Sequence, residues 1–73
     1  MKFVFTHHAQ FRIFTERHIT VADIKTTIKN PDGIRYEAGG LIKCRKKLDG
    51  GELVVLYSKG NGDTFVIVTA YFK

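Results

Sequence analysis

Residues 34–72 specify most of the sheet, and in order they read IRYEA, GG, LIKCRKKL, DGG, ELVVLYS, KGNGD and TFVIVTAYF. The longer segments are rich in β-branched, leucine and aromatic residues, whereas the short ones consist mostly of Gly, Asp and Asn. Short loops of that composition join adjacent antiparallel strands. The sequence therefore predicts a meander of about four antiparallel strands, over Ile34–Ala38, Leu41–Leu48, Glu52–Ser58 and Thr64–Phe72.

The segment LIKCRKKL alternates apolar and basic side chains. Because successive side chains of a strand point to opposite faces, the two sets should lie on different faces of the sheet. The basic face either follows a phosphate backbone or is a solvated surface that protects the sheet from aggregation. The apolar set, which should face the core, is Ile42, Cys44 and Leu48, and the basic set, a basic stripe on the other face, is Lys43, Arg45 and Lys47.

The runs LVVLY, residues 53–57, and FVIV, residues 65–68, are apolar on both faces. Continuous apolar runs of this length are typical of strands in the middle of a sheet. We therefore expect the last two strands to be interior strands.

The part of the chain before the meander predicts a short strand and two helices. Lys2 to Phe5 is strand-like and ends at Thr6, a residue suited to cap the helix that follows, over His7 to Arg17. On a wheel of 3.6 residues per turn, Phe11 and Phe14 lie about 60° apart and should form a buried aromatic face.

The second helix has clear start and stop signals. The stretch TVAD, residues 20–23, has the form of a capping box and predicts a start at Val21. Ile24 and Ile28 would be its buried stripe, and NPDG, residues 30–33, ends it after roughly nine residues. Helices followed by strands predict one α+β domain over residues 1–73, with both helices packed on one face of the sheet.

Composition narrows the classes of function. The net charge of +5 on 73 residues favours polyanionic partners, either nucleic acid or an acidic protein. The single cysteine cannot form an intrachain disulfide, and no apolar run is long enough to span a membrane. The expected location is the cytoplasm.

His8 and Arg12 are spaced to emerge from the same side of the first helix. An imidazole can transfer a proton while a guanidinium holds a phosphate, which suits cleavage of an RNA phosphodiester without a metal. The alternative is structural: His8 packs at the helix start, and Arg12 pairs with Glu16 one turn later.

Other candidate residues have weaker signals. Arg17 is placed to complement the carbonyl groups at the end of the first helix. The hydroxyl groups of Thr69 and Tyr71 share a strand face and are suited to contact a phosphate or a base, although partly buried polar groups have the same pattern. The histidines have no recognisable metal-ligand spacing, so no metal site is expected.

Four motifs in order carry a family resemblance: THHAQFR (6–12), ERHIT (16–20), IKNPD (28–32) and VIVTAY (66–71). In this order they resemble domain of unknown function 4258, a family of small prokaryotic domains. The resemblance selects His8 over His7 and implies that Arg12, Arg17, Thr69 and Tyr71 occupy the family's other recurring polar positions.

That family is similar to the RelE-like and BrnT-like ribonuclease toxins, which implies a RelE-like fold and metal-independent RNA cleavage. His8 would then be the general acid or base, Arg12 and Arg17 the phosphate ligands, and Tyr71 a positioning group. Lys43, Arg45, Lys47 and Thr69 would bind RNA, and no cofactor is expected.

Two alternatives remain open from the sequence. The first is a binding module without catalysis, which docks RNA or an acidic antitoxin-like protein through the basic strand face. The second is a small structural subunit whose exposed edge strand pairs with another copy or a partner.

Overall fold

A computed structural model describes residues 1–73 and contains two helical segments followed by most of a five-stranded sheet. The first helix begins as α1 and continues without a break as a π-helical segment, and a short 3₁₀ turn lies between the second and third strands. The elements are β1 (Lys2–Phe5), α1 (His7–Gln10), the π-helical segment (Phe11–Glu16), α2 (Val21–Lys29), β2 (Gly33–Tyr36), the 3₁₀ turn (Ala38–Gly40), β3 (Leu41–Leu48), β4 (Gly51–Lys59) and β5 (Thr64–Phe72).

Both predicted helix caps are confirmed. The Ala9 amide donates to Thr6 Oγ1 at 3.1 Å, and the Asp23 amide donates to Thr20 Oγ1 at 3.1 Å. Each bond satisfies one of the amide groups that a helix leaves unpaired at its start. The predicted bounds of α2 are also confirmed, and Ile24 and Ile28 are its buried apolar residues.

The first helix differs from the prediction in its winding. In the π-helical segment an amide bonds to the carbonyl five residues back, as Arg17 N–H does to Arg12 O at 3.1 Å. This wider turn breaks the 3.6-residue period on which the predicted aromatic face depended. Ile13 is fully buried, Phe14 packs edge-on against Phe5, and Phe11 is 56% exposed. The expectation that Phe11 is buried was wrong.

The strand order of the sheet is β1-β5-β4-β3-β2. The four strands of the meander pair antiparallel, and β1 adds to β5 as a parallel edge strand, which makes five strands in all. The prediction that β4 and β5 lie inside the sheet is confirmed. The strand expected over Ile34–Ala38 ends earlier, because Gly39 and Gly40 adopt positive φ angles and turn the chain.

The core lies between the helices and one face of the sheet, as predicted. Thirteen apolar residues are buried in all, and Cys44 of β3 has no exposed surface. The opposite face of the sheet carries no helix, so its central residues are covered only by the long side chains around them. Val54, for example, is only 2% exposed on that face. No helix of the chain has the length and apolar character needed to cross a membrane.

Candidate functional site

A basic groove crosses the open face of the sheet, on the side away from the helices. It has a volume of about 510 Å³ and contains four cations and one carboxylate. Its lining residues come from four strands and the C-terminal residue: Gly33, Ile34, Arg35, Lys43, Arg45, Glu52, Val54, Tyr71 and Lys73.

Strand register places these side chains together. Arg45 of β3 lies beside Val54 of β4, and Val54 lies beside Tyr71 of β5. Cross-strand neighbours share a face, so the three form a row across the sheet with an apolar residue between a cation and a phenol. Arg35 of β2 and Lys43 of β3 form a second cross-strand pair, two residues along β3 from Arg45.

The side chain of Arg45 lies beside two neighbours in the groove and is 53% exposed. Its side chain lies over Gly33, where an added Cβ atom would come within 2.7–2.8 Å of the guanidinium group. Its Nη1 atom lies 3.4 Å from Glu52 Oε2 on β4. The guanidinium still has free N–H donors, because this single contact uses only one of its five.

The lysines next to Arg45 have other surroundings. Lys46 points to the helix side, where its Nζ donates to Asn30 O at 2.9 Å and so supplies a cation at the C-terminal end of α2. Lys47 was predicted to continue the basic stripe, and register keeps it on that face. It lines a separate depression beside His18 and Phe72, so the groove holds only Lys43 and Arg45 of the predicted stripe.

His8 and Arg12 lie in the helical layer, and the sheet separates them from the groove. Both are exposed, and Arg12 Nε lies 3.2 Å from Glu16 Oε1. This ion pair is the arrangement that the structural alternative predicts for Arg12. Neither residue lines the groove or the depression beside Lys47. The catalytic roles of the pair stay predictions.

Arg17 connects the first helix to β5. Its Nη1 atom donates to Ala70 O at 3.0 Å and to Thr69 Oγ1 at 3.3 Å. The pairing of β1 with β5 ends at Ile67, so Arg17 bonds to β5 where that strand has lost its neighbour. The guanidinium therefore satisfies an edge carbonyl of the sheet, in addition to lying near the end of its own helix.

Thr69 and Tyr71 share a face as predicted, since their partners Leu56 and Val54 are two residues apart on β4. Their surroundings nevertheless differ. Thr69 is bonded to Arg17, and Tyr71 lies in the groove with Lys43 and Arg45. The predicted site residues are therefore distributed over four places: the exposed side of the first helix, the free part of the β5 edge, the groove, and the depression that Lys47 lines.

Three titratable groups have a pKa that departs from its ordinary value, and two of them lie in the core. At the surface, the hydrogen bond and the charge of the N-terminal ammonium lower the pKa of Asp63. Burial raises the pKa of the Cys44 thiol to about 11, and burial also raises the pKa of Tyr57. Cys44 is thus a neutral, inaccessible thiol at ordinary pH, in agreement with the prediction that it points inward. No group of three or more His, Cys, Asp or Glu side chains lies close enough to hold a metal ion.

Sequence reasoning missed all three of the other charged residues of the groove: Arg35, Glu52 and Lys73. The signal for Arg35 was present, because a hairpin between the first two strands of the meander pairs it with Lys43. Lys73 follows the last strand, and its amide bonds to Glu52 O at 2.8 Å, which extends the β4–β5 pairing to the groove's end.

Comparison with protein families gives one match. The model of a family described as "Domain of unknown function (DUF4258)" matches residues 5–72. No curated protein and no solved structure matches the chain. The match covers both helices and the four strands β2 to β5 in full, and it includes only Phe5 of β1.

Proposed function

Because the chain belongs to the DUF4258 family, whose description assigns no activity, we propose from the geometry of its groove that it binds RNA as a single strand. The observation that carries this proposal is the row of Arg45, Val54 and Tyr71 across an open sheet face, flanked by further cations.

Charge supports a polyanionic ligand. Arg35, Lys43, Arg45 and Lys73 face one groove that contains a single carboxylate, so the local field is strongly positive. Arg45 lies over Gly33 and keeps donors free for a phosphate. Neutralising phosphates releases counterions, so the affinity should fall steeply with salt.

The groove's apolar part favours a single strand over a duplex. Bases of a single strand are unpaired and stack on aromatic side chains, and Tyr71 offers such a surface next to Val54. In double-stranded RNA the bases are stacked inside the helix and cannot reach this surface. The proposed arrangement therefore has phosphates on the cations and a base on the Tyr71 ring.

The test is a titration of a labelled single-stranded RNA followed by fluorescence anisotropy at several salt concentrations. The double variant Lys43→Gln/Arg45→Gln should lower the affinity and reduce the salt slope by about 1.4 for two lost phosphate contacts. The matched control is Lys25→Gln/Lys29→Gln, which removes the same charge from exposed positions of α2. Equal losses in both variants, or no salt-dependent binding by the wild type, would refute the proposal.

A second candidate function is metal-independent cleavage of the bound RNA, as the family resemblance implies. In this reaction the 2′-oxygen loses its proton and attacks the adjacent phosphorus, and the bond to the 5′-oxygen breaks as that oxygen gains a proton. The groove brings together Glu52, which can accept a proton, Tyr71, which can donate one, and cations for the phosphorane. His8 is the competing candidate for proton transfer, with Arg12 and Arg17 as the competing phosphate ligands.

Incubation of the protein with RNA in EDTA separates these possibilities. Cleavage that is lost in Glu52→Gln and Tyr71→Phe but kept in His8→Ala would locate the chemistry in the groove. Cleavage lost only in His8→Ala would locate it on the first helix. RNA that stays intact with every protein would leave binding without catalysis.

A further inference from the structure

Strand β2 has a free edge with backbone groups that point away from the sheet. It pairs only with β3, and the amide of Glu37 donates to Leu41 O at 2.8 Å just beyond its end. Along an antiparallel ladder, hydrogen-bonded pairs alternate with non-hydrogen-bonded pairs. Counting back from Glu37, the next residue whose backbone bonds to β3 is therefore Arg35. The backbone N–H and C=O groups of Ile34 and Tyr36 therefore face solvent.

The side chains of β2 give this edge two different faces. Ile34 and Tyr36 pair with Cys44 and Ile42 and so lie on the helix side, yet they are 50% and 78% exposed. Arg35 lies on the open side, next to Lys43. The edge thus presents apolar surface on one face and positive charge on the other.

Charge argues against a second copy of this chain as the occupant. The antiparallel register that pairs β2 with its copy along its whole length aligns the outward groups of Ile34 with those of Tyr36. That register puts Arg35 directly opposite Arg35 of the copy, in the narrow non-hydrogen-bonded position where side chains are closest. Each chain also carries a net charge of +5.

We propose that β2 is a docking edge for an extended segment of an acidic protein, which adds to the sheet as a sixth strand. In that segment apolar side chains would cover Ile34 and Tyr36, and acidic side chains on the other face would pair with Arg35. Main-chain bonds to the outward groups supply affinity, and the alternation supplies specificity. Ile34 and Arg35 also line the groove, so RNA and this segment would share Arg35, but the proposal rests on the outward backbone groups of β2 and not on RNA binding.

The test uses three labelled seven-residue peptides and fluorescence anisotropy. The first alternates Val and Glu, the second alternates Val and Lys, and the third contains the first peptide's residues in two blocks. The alternating acidic peptide should bind wild-type protein about tenfold more tightly than either of the others, a factor that corresponds to about 1.4 kcal/mol.

Two variants test the geometry. Ile34→Pro removes an outward N–H, and an edge strand tolerates proline where the N–H faces solvent, so the circular dichroism spectrum should be preserved while the acidic peptide binds about tenfold more weakly. Arg35→Glu should reverse the preference between the acidic and basic peptides. It keeps every backbone group, and so tests the proposal even if Ile34→Pro does not fold.

Several results would overturn the proposal. One is equal affinity for all three peptides. Another is binding of the acidic peptide that survives Ile34→Pro in a folded protein but is lost in Lys43→Gln/Arg45→Gln, because this pattern would place the peptide in the groove. Sedimentation that finds a wild-type dimer and an Ile34→Pro monomer would assign the edge to a second copy. Failure of RNA binding with these peptide results intact would refute the proposed function alone.

Discussion

Arg45 lies flat over Gly33, and a Cβ atom added at Gly33 would come 2.7 Å from the Cζ atom of its guanidinium group. Gly33 does not have a positive φ angle, so the backbone alone does not require glycine there. What the missing side chain provides is space for Arg45, whose Nη1 atom lies 3.4 Å from Glu52 Oε2.

Gly33→Ala should therefore displace Arg45 without unfolding the protein. The atoms in the way belong to the far end of a flexible side chain, so we expect a stability change within about 0.5 kcal/mol. RNA affinity should fall roughly two- to fivefold, less than when the Arg45 charge is removed, because a displaced cation still attracts phosphate.

The control for this prediction is Gly50→Ala, where the new methyl group would meet the Phe72 ring at an ordinary 3.5 Å. Its RNA affinity should equal that of the wild type. Thermal unfolding and anisotropy titration measure both quantities. An unchanged affinity in Gly33→Ala would mean that the position of Arg45 does not matter for RNA.

Arg17 and Arg12 should differ in their contribution to stability. Arg17→Gln loses hydrogen bonds to Ala70 O and Thr69 Oγ1 that tie the first helix to the sheet, and should lower the free energy of unfolding by about 1–2 kcal/mol. Arg12→Gln loses only an exposed ion pair with Glu16 and should cost less than about 0.5 kcal/mol. Urea unfolding gives both values, and equal losses would contradict the tie assigned to Arg17.

Local signals made much of the fold predictable. The caps at Thr6 and Thr20 and the stop after Lys29 depend on residues only a few positions apart, and the structure has all three. The faces of β3 follow from alternation alone, which is why Cys44 was correctly placed in the core. These features need no knowledge of distant parts of the chain.

The features that were missed depend on contacts between distant segments. The exposure of Phe11 results from π-helical winding, which has no sequence period of its own here, and from Phe14 packing on Phe5. The groove joins Arg45 to Tyr71 across three strands. Predicting which residues line it would therefore have required the register of β4 with β5, including the bulge near Leu56. Without that register, the helical pair of His8 and Arg12 was the more visible candidate.

His18 is the one residue other than glycine with a positive φ angle, +54°, and it ends the first helix. The left-handed conformation costs an ordinary residue roughly 1–2 kcal/mol, whereas glycine adopts it freely but loses more entropy on folding. His18→Gly should therefore stabilise the protein by roughly 0.5–1 kcal/mol. Thr15→Gly, inside the π-helical segment, should destabilise it by a similar amount. Thermal unfolding measures both variants, and a less stable His18→Gly would refute the prediction.

The buried thiol of Cys44 should make the protein less stable in alkali. Its pKa is about 11 in the folded protein against an ordinary value of 9.0, so between these values the folded state holds a proton that the unfolded state has lost. The contribution of the buried thiol to the free energy of unfolding is therefore complete below about pH 9. It is lost as the pH rises to about 11, and the total loss is on the order of 2–3 kcal/mol. The raised pKa of Tyr57 acts in the same direction at the upper end of this range.

Cys44→Ala should lower stability at pH 7 by leaving a small cavity, but should lose less stability than the wild type between pH 8 and pH 10. Urea unfolding at pH 7, 8, 9 and 10 tests this, and parallel losses in the two proteins would show that another group causes the alkaline instability.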